Sequence, residues 1–109
     1  MKYRLKITDK AKEQLLSIAR WYLETSRSVD VATAWYDGFI SELESLEQNP
    51  WRGSVAPEND FFDFELRELH YGSGKRVTHR ALYRIVDSTI EVLSIRHHAE
   101  RPLGSEGLQ

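Results

Sequence analysis

The sequence contains no cysteine among its 109 residues. Disulfide bonds, thiolate metal ligands and cysteine nucleophiles are therefore excluded, and we expect the protein to reside in the reducing cytoplasm. Long apolar runs are also missing, since no stretch approaches the roughly 20 residues of a membrane-spanning helix. No apolar run follows the basic N-terminus as it would in a signal peptide. We therefore expect no contact with a membrane.

A large excess of one charge is absent as well. There are 15 Lys and Arg against 17 Asp and Glu, a net charge of −2, which argues against a surface that follows nucleic-acid phosphates throughout. Within residues 67 to 101, however, seven basic residues stand against four acidic ones, and all four histidines lie there. Basic character is therefore local.

The length and composition favour one folded domain. Hydrophobic residues make up 40% of the chain and charged residues 29%, as in ordinary soluble proteins, and domains typically have about 100 to 150 residues. We assign a single domain to residues 1–103 and an irregular tail to residues 104–109.

The first half of the sequence predicts one strand and two helices. Tyr3, Leu5 and Ile7 alternate with basic residues, which is typical of a strand with one buried face. Apolar residues then recur at helical spacing over residues 9–24, after the N-cap candidate Thr8, and again after Ser28 until Pro50. Two helices joined by a short polar loop predict an antiparallel helical hairpin.

The second half predicts three strands. Residues 49–63 contain two prolines and a glycine without periodicity, so they form a loop that orders through Trp51, Phe61 and Phe62. A short strand is expected at residues 64–70, followed by the turn YGSGK. Two further strands flank the turn Asp87-Ser88. The fold class is therefore α+β, in the order β-α-α-β-β-β, with the helical hairpin packed on a small, twisted, mainly antiparallel sheet.

A row of arginines on the strand after residue 75 is the main candidate for a binding site. Arg76, Arg80 and Arg84 share one parity on a strand that rises about 6 to 7 Å for every two residues, and Arg96 lies on the neighbouring strand with His97 and His98. Guanidinium groups suit phosphate, and a histidine can act as a general acid or base. The alternative is that Arg84 or Arg96 pairs with Asp87 or Glu91 and the histidines are structural.

Other candidate sites have weaker support in the sequence. His97, His98 and Glu100 lack a spacing that closes a zinc site, and adjacent residues of a strand face opposite sides. The glycines of YGSGK do not open a helix, as a phosphate loop requires. We therefore predict no metal and no cofactor.

The layout resembles the RelE/ParE superfamily of toxins from type II toxin–antitoxin systems. The similarity covers about residues 2–103, from KITDKAKEQL through LEQNP and the Arg-x-Leu at Arg67 to HRALYRIVDSTIEVLSIRHHAERPL. Tyr-Arg-Ile before an acidic turn and the closing IRH-x-A-x-R-P-L are typical of the ParE-like, plasmid-stabilisation branch.

The resemblance implies one of two mechanisms. ParE-like members inhibit DNA gyrase, whereas RelE-like members are ribosome-dependent, metal-independent mRNA endonucleases. In HRALY, Arg80 matches the arginine with which a YoeB-like nuclease handles the scissile phosphate. His97 or His98 falls near the C-terminal acid or base of that branch, and Glu65 or Glu68 near its glutamate.

Departures from the nuclease pattern favour the ParE-like branch, or a member of the superfamily with an unknown target. His98 is followed by Ala99 instead of the terminal Tyr of that branch, and Lys75 is the only lysine after Lys12. A pI near 6.1 also suits ribosomal RNA poorly. An inactive module that only binds an antitoxin is a third possibility.

The superfamily also implies a partner. A cognate antitoxin would place an acidic segment on the toxin, in a hetero-oligomer, with Arg76, Arg80, Arg84 and Arg96 as its electrostatic target.

Overall fold

The architecture follows the predicted order with one addition. The computed structural model describes residues 2–72 and 76–98. The predicted turn YGSGK lies partly outside these residues, and the tail 104–109 lies wholly outside them. The strands are β1 Arg4–Ile7, β2 Ser54–Val55, β3 Arg67–Tyr71, β4 His79–Val86 and β5 Thr89–His97; the helices are α1 Asp9–Ser26 and α2 Val29–Glu44, with 3-10 turns at Ser45–Glu47 and Pro57–Phe61.

Both predicted N-caps are confirmed. The Thr8 hydroxyl accepts a hydrogen bond from the Ala11 N–H, and the Ser28 hydroxyl accepts one from the Val31 N–H, each at 3.2 Å. These bonds satisfy amide groups that the first turn of a helix leaves without a partner. Helix α1 ends at Ser26, and the C-cap residue Arg27 has a left-handed backbone (φ 57°) whose N–H donates to the Leu23 carbonyl. The two helices thus form the expected hairpin.

The strands form one mixed sheet in the order β1-β5-β4-β3-β2. The β2–β3, β3–β4 and β4–β5 pairs are antiparallel, and β1 runs parallel to β5. The mainly antiparallel, α+β class is therefore confirmed. The two-residue strand β2 is new, because it forms only by pairing with Arg67 and Glu68.

The helices cover one face of the sheet, which we call the helix side. The main core lies between the helices and the sheet and contains the fully buried Leu15, Phe39, Leu43 and Tyr83. Gln14 fixes α1 against the sheet, since its side-chain oxygen accepts a hydrogen bond of 2.7 Å from the Ile95 N–H. This bond occupies the part of the β5 edge that β1 does not reach.

The loop before β3 covers part of the opposite face, which we call the loop side. Ala56, Leu66 and Leu82 form a second, smaller core there, with Phe62 and Phe64 packed against it. The predicted contact through Phe62 is present. Trp51 and Phe61 instead remain more than half exposed, so Phe64 is the second aromatic anchor of the loop. In the part of the chain that the structure describes, no helix is long and apolar enough to cross a membrane.

Candidate functional site

Strand β4 sends alternate side chains to the two sides of the sheet, as its sequence predicts. Arg80 meets the loop residue Glu58, and Leu82 belongs to the loop-side core, whereas Ala81 and Tyr83 belong to the helix-side core. Arg76 precedes the strand and is exposed.

Arg80 is buried in an ionic cluster. Its Nη1 donates to Glu58 Oε1 at 2.9 Å and to Glu68 Oε1 at 3.2 Å, and its Nη2 donates to Glu58 Oε2. Arg80, Glu58 and Glu68 are 5%, 1% and 8% exposed. The hydrogen bonds to Glu58 raise the pKa of the Arg80 guanidinium above its ordinary value, although burial alone would lower it. We call these three residues the Arg80 cluster.

Arg84 is also paired. Its Nε donates to Glu91 Oε1 at 2.8 Å, and its guanidinium lies over the Phe64 ring at 4.9 Å from the centroid. Glu91 additionally faces Lys6 at 3.8 Å. The alternative in which Arg84 pairs with Glu91 is therefore correct, and the predicted stripe is not a row of exposed positive charges, because acidic residues neutralise Arg80 and Arg84.

The two C-terminal histidines lie on opposite sides of the sheet. The ring of His97 lies 5.0 Å from that of His79, beside Tyr22 on the helix side. The ring of His98 instead lies 5.7 Å from that of His70, whose Nε2 is 3.3 Å from Glu68 Oε1. Only His98 is thus on the side that carries the Arg80 cluster.

Arg96 is placed on the loop side of the sheet by its register with Arg80. Arg80 on β4 has two cross-strand partners: Arg96 on β5 and His70 on β3. Burial, and then the positive charge of Arg96, lower the pKa of Lys10. Arg80 therefore has His70 and Arg96 as its cross-strand neighbours, and His98 contacts His70. Arg84 lies four residues further along β4.

Two residues of this site were missed by the sequence analysis. Glu58 lies in an aperiodic loop, 22 positions before Arg80, and no pattern links the two. His70 could have been found, because it alternates with Leu69 on β3 and so shares a side with Glu68. Glu65, the other candidate glutamate, is exposed and pairs with Arg67 at 2.6 Å. Residues 2–72 and 76–98 contain no group of three potential ligands that could hold a metal ion.

The chain matches the model of a protein family across residues 5–102. That family is described as the ParE toxin of the type II toxin–antitoxin system parDE. The chain belongs to the ParE toxin family. This match confirms the family resemblance that was inferred from the sequence. Among curated proteins, none has a significantly similar sequence.

Solved structures share the fold of this ParE-family chain. A chromosomal ParDE system from P. aeruginosa has 22% identity and a TM-score of 0.69, covering 88% of this chain and 96% of that one. The free E. coli toxin RelE, in a doubly substituted form, has 13% identity and a TM-score of 0.56, over 88% and 83%. The toxin–antitoxin complex RelBE2 from Mycobacterium tuberculosis has 20% identity and a TM-score of 0.52, over 90% and 100%.

Proposed function

We propose that this ParE-family toxin inhibits growth by binding DNA gyrase, without cleaving RNA, and that a cognate antitoxin neutralises it in the cytoplasm. Membership of the ParE family supports the toxin role, and gyrase is the target that the ParE-like branch implies. The similar structures from P. aeruginosa and M. tuberculosis are named as toxin–antitoxin systems. A hetero-oligomer with an antitoxin is proposed on that basis.

The pairing of Arg80 with two buried carboxylates is the main observation that favours gyrase binding over RNA cleavage. In the nuclease pattern, Arg80 would bind the scissile phosphate. Here its guanidinium already binds the carboxylates of Glu58 and Glu68, which are themselves buried. An incoming phosphate would have to displace these groups and would be repelled by them. Arg80 is therefore a structural cation in this chain, which favours binding over phosphodiester cleavage.

A second candidate, the mRNA endonuclease, rests on the other loop-side residues. His70 and His98 are in ring contact beside Glu68, and Arg96 is adjacent to Arg80 in the sheet. Imidazole groups can transfer protons near neutral pH, and Arg96 is a cation on the same side. A nuclease built on this chain would use His70, His98 and Arg96, and His97 would play no part.

Induction of the toxin in cells, without an antitoxin, separates the candidates. We expect incorporation of labelled thymidine to stop before that of labelled amino acids, with DNA-damage signalling. Purified toxin should also inhibit supercoiling by purified gyrase. The reverse order of arrest, with cleaved mRNA, would contradict the proposal. Unchanged growth would indicate the third possibility, an inactive antitoxin-binding module.

A double variant tests the role of the histidines. A gyrase inhibitor should keep its activity within about 2-fold in His70→Ala/His98→Ala, with His97→Ala as the matched control on the helix side. An endonuclease should lose about 100-fold or more in the double variant, since general acid–base catalysis contributes roughly 10²- to 10⁴-fold. Arg80→Ala is a poor probe of catalysis here, because it also removes the only cation of a buried cluster.

A further inference from the structure

Apolar and aromatic surface remains exposed at the end of the sheet where β3 begins and β4 ends. Trp51, in the loop before β3, is 55% exposed, and Val86, the last residue of β4, is 44% exposed. Apolar surface of this kind is stabilised when a partner removes it from water. Tryptophan is also one of the residue types that contribute most binding energy at protein interfaces. This end of the sheet is therefore a candidate interaction surface.

Trp51 and Val86 line the same cavity, which has a volume of about 270 Å³. Phe64, Arg67 and Arg84 also line it. We call these five residues the Trp51 pocket. Sites for small molecules usually have about 300–1,000 Å³. The Trp51 pocket therefore suits a single apolar or aromatic side chain of a partner protein better than a larger ligand.

Arg67 holds Trp51 in place although the indole faces solvent. The Arg67 guanidinium lies over the Trp51 ring, 5.2 Å from its centroid. Its Nη2 donates to the carbonyl oxygens of Trp51, at 3.2 Å, and of Gly53, at 2.6 Å. The Trp51 N–H in turn donates to Asn49 Oδ1 at 3.2 Å. A side chain that is ordered before association loses less conformational entropy when a partner binds.

Both arginines of the Trp51 pocket are already paired with carboxylates. Arg67 Nη1 donates to Glu65 Oε1 at 2.6 Å, and Arg84 Nε donates to Glu91 Oε1 at 2.8 Å. These two cations and two carboxylates have no net charge together, so they attract neither nucleic-acid phosphates nor an acidic peptide strongly. A partner at this pocket therefore contributes uncharged, apolar side chains.

We propose that the Trp51 pocket is the surface with which this toxin docks on DNA gyrase. An apolar or aromatic side chain of gyrase occupies the pocket, and Trp51 packs on the gyrase surface around it. This inference rests on the proposed gyrase target and names the surface that reaches it. Aromatic residues and arginine are enriched at the centres of protein–protein interfaces, and the pocket contains two of each.

The Trp51 pocket lies away from the Arg80 cluster along β4. Val86 pairs with Thr89 beside the β4–β5 turn, whereas Arg80 pairs with Arg96 nearer the other end of the strand. Six residues separate Arg80 from Val86, a rise of about 20 Å at roughly 3.3 Å per residue. Substitutions in the pocket therefore test docking without removing a residue that the endonuclease alternative would use.

The test measures the affinity of purified gyrase for the full-length toxin and for Trp51→Ala and Val86→Glu. Loss of the indole, or a carboxylate placed at the pocket, should weaken binding by about 10-fold or more. Inhibition of supercoiling should fall in parallel. The matched controls are Trp21→Ala and Val31→Glu on the helical hairpin, since Trp21 is 57% and Val31 44% exposed. Both should bind gyrase within about 2-fold of the unaltered toxin.

A second probe, linear DNA without gyrase, separates protein docking from nucleic-acid binding. The loss of gyrase affinity in Trp51→Ala should be the same at low and high salt, because the pocket has no net charge. Binding to DNA alone that Trp51→Ala weakens and that salt abolishes would overturn the proposal in favour of a nucleic-acid surface.

Melting curves establish that each variant is folded. Unaltered gyrase affinity in the folded pocket variants, or equal losses in the two control variants, would overturn the docking surface but leave gyrase as the target. Failure of the unaltered toxin to bind or inhibit gyrase would overturn both proposals.

Discussion

Arg80 provides the only guanidinium of a buried cluster that contains two carboxylates. Glu58 is held in the loop and Glu68 in β3, so this one side chain joins the loop to two strands. Buried charges are tolerated only when they are paired and hydrogen bonded, and loss of one partner leaves the others without compensation. The cluster is therefore expected to control whether the loop stays on the sheet.

Arg80→Ala should lower the free energy of unfolding by about 3–5 kcal/mol, because it leaves two buried carboxylates without their cation. Arg84→Ala is the matched control on the same side of β4. Its pair with Glu91 is partly solvated, with 35% of the Arg84 side chain exposed, so its removal should cost only about 0–1 kcal/mol. Urea unfolding at pH 7 measures both variants.

An Arg80→Ala variant that unfolds at the same urea concentration as the unaltered protein would contradict this account. Arg80 would then be a dispensable cation, and the argument against its binding phosphate would lose its basis. The measurement also guides growth assays, since loss of toxicity in an unfolded Arg80→Ala variant says nothing about catalysis.

Strand alternation predicted the side of the sheet on which Arg80 lies but not its environment. The parity of His79 to Ile85 is a local property, fixed by the geometry of a strand. Burial of Arg80 depends on Glu58, which reaches it from a loop without periodicity. Pairing of this kind is a tertiary contact, and the sequence pattern alone does not distinguish it from an exposed, phosphate-binding arginine.

Helix α2 approaches strand β3 closely at Gly38. The Tyr71 ring stacks on Phe39 at 4.6 Å between centroids, and its hydroxyl donates to the Trp35 carbonyl at 3.3 Å. A Cβ atom on Gly38 would clash with the Tyr71 hydroxyl oxygen and lie 3.2 Å from Cζ. The absence of a side chain at this point lets the tyrosine lie against the helix.

Gly38→Ala should therefore destabilise the protein, by about 1–3 kcal/mol as for other overpacked sites. In an exposed helix the same change would stabilise by about 1 kcal/mol, because alanine favours helix more than glycine. Tyr71→Phe removes the clashing oxygen, so Gly38→Ala should cost much less, or stabilise, in that background. A double-mutant cycle of urea unfolding measures the difference. Equal effects of Gly38→Ala in both backgrounds would refute the contact.

The regular elements were predictable because their signals are local. Thr8 and Ser28 act as caps through their own first turns, and the β4–β5 turn places Asp87 in a left-handed conformation with φ 54°. Strand β2 was not predictable, because two residues are too few to show the alternation of apolar and polar residues that indicates a strand. It exists only where Ser54 and Val55 meet β3.

The sheet order places the first strand of the chain beside the last. Ile7 of β1 pairs with Val92 of β5, and Lys6 pairs with Glu91, in the only parallel register among the described strands. The sequence indicated a strand at each position, but alternation does not say which strands are neighbours. Since β1 precedes both helices, its pairing with β5 closes a loop of chain that contains the helical hairpin and the other three strands.

Ile7→Gln tests whether β1 contributes to the stability of the entire domain. Ile7 packs on the helix-side core, and its loss should lower the free energy of unfolding by about 1–2 kcal/mol, less than for a fully buried isoleucine. Lys6→Gln introduces the same residue on the opposite side of the same strand. It removes only the 3.8 Å pair with Glu91 and should change stability by about 0.5 kcal/mol or less.

If β1 is an integral part of one cooperative unit, the lower stability of Ile7→Gln appears as a single shifted transition, seen alike by far-UV circular dichroism and tryptophan fluorescence. A separate early transition, or equal stability of Ile7→Gln and Lys6→Gln, would instead mean that β1 detaches without affecting the rest. The single transition is expected because β5, to which β1 pairs, is also held by β4 and by Gln14 of α1. Disturbance of β1 therefore reaches both the sheet and the helical hairpin.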